Sequence, residues 1–253
     1  MSKRFFVRST LLFSAVLGAA LCFTSVSHRL PEVQAAYAPH EACCGAITPE
    51  GYRLADVIDS MNVEQRWLAH EHIDWETGER DRPANYVGHD MATHCSAFAA
   101  AVGERLNVYM LRPPDHPQTF LASAQTRWFH DKPGVDDGWK PLTGPGHEQR
   151  AQELANQGNL VVIAYESPDP DKPGHIVVVR PSEKSPEELR TEGPQIAQAG
   201  AQNHNSSIAA LSFLLHPGAW PDGVHYYWHP VDWTKVPVTV KTKQLVIPCS
   251  GEG

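Results

Sequence analysis

Two short, almost unbroken apolar runs constrain the fold of this chain most. They are Asn159-Leu160-Val161-Val162-Ile163-Ala164-Tyr165 and Gly174-His175-Ile176-Val177-Val178-Val179-Arg180. Each is short for a helix and rich in β-branched residues, so each reads as a buried strand. The polar stretch between them carries Pro168, Pro170 and Pro173, a turn signal. A connection of that length joins antiparallel neighbours, because a parallel pair needs a longer crossover. Gln195–Gln202 reads as a third strand, Val224–Trp228 as a fourth, and Val236–Val246 as a fifth.

Helical patterns come before the strands. Thr48-Pro49-Glu50 opens one, with Leu54, Val57, Ile58 and Met61 spaced for a single buried face. Asn62 and Gln65 form a capping-box pattern for a second, with Val63, Trp67 and Leu68 apolar. Thr93 to Leu106 is the strongest: Phe98, Ala101, Val102 and Leu106 share a face, and Ala97, Ala99 and Ala100 raise helix propensity. Gln118–Phe129 and Glu148–Asn156 are helical in pattern, while 74–90 and 131–146 read as loops. Helices first and hairpin-linked strands second predict an α+β fold with an antiparallel sheet.

The first 38 residues differ from the rest. Lys3, Arg4 and Arg8 precede an uncharged, largely apolar run from Thr10 to Val26, and small residues follow at Ala35, Ala36 and Ala38. That order is the pattern of a secretory signal. The same run is short for a bilayer span, which leaves an uncleaved N-terminal anchor as the alternative. Residues 39–253 then form one domain, secreted or periplasmic, with no stable membrane contact once the leader is removed. Without the leader the chain has 17 basic and 28 acidic residues, a formal −11. An acidic chain without a basic cluster excludes nucleic acid as a partner.

Cleavage leaves Cys43, Cys44, Cys95 and Cys249. In an oxidising compartment Cys43 or Cys44 is placed to pair with Cys249, tying together the ends of a loop of about 200 residues, whereas adjacent cysteines seldom bond each other. No cysteine pair has zinc-ligand spacing. His70, His72, His89 and His94 lack the i, i+4 arrangement that puts two ligands on one helical face, so most of them read as surface residues.

The remaining cysteine carries the chemistry. Cys95, in Thr93-His94-Cys95-Ser96-Ala97-Phe98, sits in the first turn of the strongest helix, where orphan N–H groups and the helix dipole favour a thiolate. His175 opens an Ile/Val strand directly after Gly174, a position suited to a base that takes the thiol proton. A third polar residue should hold the imidazole: Gln198 on the following strand, with Gln195 and Asn203 as rivals. His94 and Ser96 flank the nucleophile as substrate-contacting candidates. Among seven tryptophans, Trp75 in the 74–90 loop is the best candidate for a cleft.

At these residues the chain resembles the NlpC/P60 cysteine peptidases of the papain-like superfamily. Thr93–Phe98 is similar to that family's Asp-Cys-Ser-Gly-Phe signature, Gly174–Val179 to its Gly-His-Val-Gly-Ile-Tyr strand, and Ile196-Ala197-Gln198-Ala199 falls where its third polar residue stands, more often a His. Tyr86-Val87-Gly88 resembles its Tyr-x-x-Gly-Gly segment, which marks Tyr86 as a substrate-positioning candidate. The resemblance covers roughly residues 85–205. It implies a papain-like fold with a helix packed on an antiparallel sheet, a triad of Cys95, His175 and Gln198, no metal or other cofactor, and peptidoglycan as partner. The implied reaction is hydrolysis of amide bonds in stem peptides. An inhibitor or immunity protein is an open partner. Two other uses of the fold stand beside it: acyl transfer through the same triad, and a non-catalytic wall-binding module.

Overall fold

A computed structural model describes residues 43–237 of the 253. The leader, Cys249 and most of the fifth expected strand lie outside the described residues. Seven α-helices and six strands occur among those described: α1 Pro49–Ser60, α2 Cys95–Arg105, α3 Leu121–His130, α4 Lys132–Asp136, β1 Lys140–Leu142, α5 His147–Asn156, β2 Leu160–Tyr165, β3 His175–Val179, α6 Pro186–Glu192, β4 Gln195–Gln198, β5 His204–Ile208, α7 Ala209–Ser212 and β6 His225–His229. The strands form one antiparallel sheet in the order β1-β6-β2-β3-β4-β5. The fold is therefore α+β, as the order of patterns predicts.

The two apolar runs are the centre of the sheet. All six residues of β2 and all five of β3 are buried, so both faces of the sheet are covered there. Their register pairs Tyr165 with His175 and Val162 with Val178. β6 continues the sheet beyond β2, pairing Tyr227 with Val162, and β4 beyond β3, pairing Ala197 with Val178. α3 and α5 contact β2, and α2 lies on β3.

Helix α2 is buried on every side rather than on one. Each residue from Cys95 to Gly103 is buried. The run of alanines makes this possible, because small side chains let neighbouring elements approach an interior helix closely. Gly103 is part of the same arrangement, since a Cβ there would lie 2.8 Å from the Val108 carbonyl oxygen. Phe98 is the helix's large anchor, fully buried, with Trp67 edge-on at 5.4 Å. Truncating such a side chain typically costs 3–5 kcal/mol.

At the N-terminus of α1, Thr48 Oγ1 accepts from Gly51 N–H at 3.1 Å and Pro49 occupies the first turn. Asn156, at the end of α5, ties the neighbouring segments together: Nδ2 donates to the Gly45 and Ser182 carbonyls, and Oδ1 accepts from Ser182 N–H.

Several expectations are corrected. Asn62 does not cap a helix. It takes a left-handed conformation (φ 54°), and one 3₁₀ turn, Val63–Gln65, follows it. Segment 131–146 is not all loop, since it holds α4 and β1. β1 is Lys-Pro-Leu on the sheet edge, where a proline costs no ladder hydrogen bond. The third strand stops at Gln198, and the chain returns as β5, His-Asn-Ser-Ser-Ile, on the other edge. Val236 is described but lies in no strand. Cys43 and Cys44 form a disulfide with each other, the pairing that sequence argued against. They sit in a turn tied to the rest of the fold by Cys43 N–H donating to the Lys184 carbonyl at 3.0 Å.

Candidate active site

Cys95 begins α2, is buried, and is in no disulfide. Its sulfur lies against the backbone amide of Ile176, the residue after His175, and against the amides of Ser96 and Cys95 itself and the Ser96 hydroxyl. The nucleophile candidate of one element thus meets the strand that carries the base candidate.

His175 is buried and paired through the sheet with Tyr165. Its Nε2 is 2.9 Å from Gln198 Oε1. The Gln198 amide nitrogen donates to the Gln202 carbonyl at 3.2 Å, so the amide oxygen is the atom left to face the ring. That orientation makes Nε2 the protonated nitrogen and leaves the Nδ1 lone pair to accept a proton. Gly174 is needed beside this histidine: a Cβ would lie 2.8 Å from Ser123 Oγ and overlap the Tyr165 carbonyl oxygen, and Gly174 N–H already donates to Ser123 Oγ at 3.1 Å.

The two rivals of Gln198 are engaged elsewhere. Gln195 Nε2 donates to Ser206 Oγ at 2.7 Å. Asn203 Nδ2 donates to the Val63, Arg66 and Trp67 carbonyls, at 2.8, 2.7 and 3.2 Å, and Oδ1 accepts from Gly200 N–H. Asn203 therefore holds the turn that follows Gln198 onto the 63–67 segment.

Burial governs the protonation of the pair. Desolvation pushes the Cys95 thiol above its ordinary value of 9.0, opposed by the surrounding N–H groups. Desolvation first and the nearby His216 second lower His175 from 6.5 to about 4, with Gln198 opposing. At neutral pH the resting pair is a thiol and a neutral imidazole, not an ion pair. Chemistry at this site requires the imidazole to take the thiol proton as the sulfur attacks.

The cysteine and the histidine open into adjoining clefts. Cys95 lies in one of about 380 Å³ whose walls include Met91, His94, Ser96, Gln118 and Phe120. His175 and Gln198 lie in one of about 640 Å³. Thr93 and Pro173 belong to both.

His94 and Ser96, the neighbours of Cys95 in the chain, line the same cleft as it does. His94 is buried with Nε2 2.8 Å from the Glu71 carbonyl oxygen, and desolvation lowers its pKa, so it presents a neutral ring. Ser96 accepts from Gln125 Nε2 at 3.2 Å through its carbonyl.

Tyr86 and Trp75 line neither of the two clefts. Tyr86 sits edge-on to His72 at 5.3 Å in a neighbouring recess with Glu71 and Arg80, which shares His70 and Met91 with the Cys95 cleft. The Arg80–Glu71 ion pair and the hydrogen bond between His72 Nδ1 and Asp81 Oδ1 fold this part of the loop back on itself. Trp75 packs under the Arg112 guanidinium at 5.4 Å, and its carbonyl accepts from Trp67 Nε1–H, so it lines neither cleft.

Two residues at the histidine escaped sequence reasoning. His216 stacks on His175 at 4.8 Å with 13° between the ring planes, and Phe213 meets it edge-on at 5.2 Å. The only sequence signal was an apolar cluster, Leu211 to Leu215, ahead of His216 and Pro217. Among the described residues no group of three or more His, Cys, Asp or Glu is arranged to hold a metal ion, and no helix is long and apolar enough to cross a membrane.

The site brings a buried thiol to the strand residue that follows an imidazole oriented by an amide. No protein-family model matches the chain, and no curated protein matches it in sequence.

Proposed function

We propose that this protein is an exported cysteine hydrolase that cleaves amide bonds, with peptidoglycan stem peptides as the substrate class the family resemblance implies. One observation carries the reading. A buried cysteine at a helix start lies against the strand residue next to His175, whose Nε2 is fixed by Gln198 at 2.9 Å. A structural cysteine and a structural histidine need no such arrangement, whereas nucleophile, base and orienting amide do.

The reaction follows from the protonation states. His175 Nδ1 takes the Cys95 proton as the sulfur attacks the carbonyl carbon. The tetrahedral oxyanion is met by N–H groups of the first turn of α2, among them that of Cys95. The C–N bond breaks as Nδ1–H passes its proton to the leaving nitrogen, giving a thioester and a free amine. His175 then deprotonates a water, which attacks the thioester, and the proton returns to the departing sulfur. Gln198 holds the Nε2–H tautomer throughout and supports the transient imidazolium.

The test uses isolated sacculi with the protein and its Cys95→Ala variant, reading soluble fragments by mass spectrometry. Fragments from the first and none from the second are expected, and their masses name the bond. Release by both removes Cys95 from the mechanism. Absence of release by either, with Cys95 still alkylated by iodoacetamide, refutes the peptidoglycan substrate.

A further inference from the structure

The histidine-side cleft has a composition that catalysis alone does not require. Its walls include Leu211, Leu214 and Leu215, exposed by 57%, 69% and 75%, on α7 and the turn after it. The same segment turns Phe213 inward against His175 and stacks His216 on the ring. Three outward leucines within five residues form the kind of apolar patch that marks a binding surface. No Asp, Glu, Lys or Arg is among the residues lining this cleft; its polar side chains are Thr93, Gln198, Gln202, Ser207 and Ser212 with the imidazoles of His175, His204 and His216. Its volume suits a small molecule or one or two residues of a peptide.

Mechanism fixes which half of a substrate lies there. The imidazole that removes the thiol proton must deliver it to the leaving nitrogen, so the leaving amine lies on the imidazole side of the sulfur. His175 and Gln198 are part of this cleft, and Cys95 opens into the other, beyond Thr93 and Pro173. We propose that the 640 Å³ cleft is the leaving-amine subsite and that Leu211, Leu214 and Leu215 select an amine bearing a neutral aliphatic side chain. A charged side chain would lose water there and find no counter-ion. The proposal rests on the assignment of Cys95 as nucleophile and His175 as base, and its test is built to separate the two.

N-acetyl-leucinamide, N-acetyl-lysinamide and N-acetyl-aspartamide share one acyl group and differ only in the leaving amine. Each is titrated into the full chain carrying Cys95→Ala, followed by amide shifts in two-dimensional NMR. The leucine compound is expected to move Leu211, Leu214, Leu215 and His216 and to bind about tenfold or more tighter than the other two, the scale on which an apolar pocket discriminates. Adding Leu214→Asp and Leu215→Asp should abolish that preference while leaving the remaining spectrum in place, because both side chains face solvent. Equal binding of all three, or shifts away from residues 211–216, overturns the proposal. So does movement of these resonances with protein concentration alone, which would make the patch an interface between copies. Hydrolysis by the unmodified protein is read separately. Selective binding without cleavage of any acetyl amide upholds the aliphatic selectivity of the cleft but counts against the hydrolase reading and so against its role as a leaving-amine subsite, whereas cleavage without selectivity upholds the hydrolase reading and overturns the selectivity.

Discussion

Lowering the pH from 8 to 4.5 should destabilise the fold through His175, by an amount that follows from its surroundings. Burial and His216 hold its pKa near 4, against 6.5 for an ordinary histidine. Because the folded value is depressed, this stabilisation is complete above pH 6.5 and is lost as pH falls from 6.5 toward 4, where the unfolded chain takes a proton that the folded one refuses. Between pH 8 and 4.5 the loss is about 2.5 kcal/mol, a large share of a typical domain's stability. His94 and His216 are shifted in the same direction, also by desolvation, so the total loss exceeds the contribution of His175. Urea unfolding of the protein and of His175→Gln at both pH values isolates it: the variant should lose about 2.5 kcal/mol less. The ring proton of His175 should titrate with a midpoint near 4 in NMR. An equal loss in the two proteins, or a midpoint near 6.5, would refute the lowering of the His175 pKa by burial.

Other perturbations probe the parts of the site separately. Gln198→Leu strips the partner from the His175 Nε2–H and should lower kcat by about 10- to 100-fold, the cost of an unpaired buried donor. Gln198→Glu puts a carboxylate there and should raise the acid limb of the kcat/KM–pH profile from its position near 4; an unmoved limb would contradict the contact. Alkylation of Cys95 by iodoacetamide should be slow at pH 7 and accelerate to a midpoint above 9, and rapid labelling at pH 6 would reveal a preformed thiolate instead. Asn203→Ala should cost about 2 kcal/mol in urea unfolding, since it releases the 63–67 carbonyls and Gly200 N–H together.

The legible and illegible parts of the molecule divide on physical grounds. β2 and β3 could be read because continuous apolar sequence has few fates other than a strand covered on both faces. Placing β3 placed His175, and the strand that follows it placed Gln198. β5 could not be read, because His-Asn-Ser-Ser-Ile on a sheet edge has neither an apolar run nor a clean alternation. β1 was hidden by its proline. The one-sided face read for α2 underestimated it, because alanine is compatible with a surface helix as well as an interior one. Tyr86 and Trp75 lie in a loop whose path is set by the Arg80–Glu71 ion pair, the His72–Asp81 hydrogen bond and a cation–π contact with the distant Arg112, and no periodic pattern encodes those. Whether Leu211, Leu214 and Leu215 face inward or outward depends on which side of segment 211–216 packs on His175, which is equally nonlocal.

The central claim is that Cys95 forms a covalent acyl intermediate with the help of His175. Intact-protein mass spectrometry after brief exposure to an acyl ester donor tests it most directly. The account predicts one acyl adduct, located on Cys95 by peptide mapping, absent in Cys95→Ala, slow to form in His175→Gln, and released by hydroxylamine as a thioester should be. Turnover of the same donor with no adduct on Cys95, or an equal adduct in the Cys95→Ala variant, would contradict it.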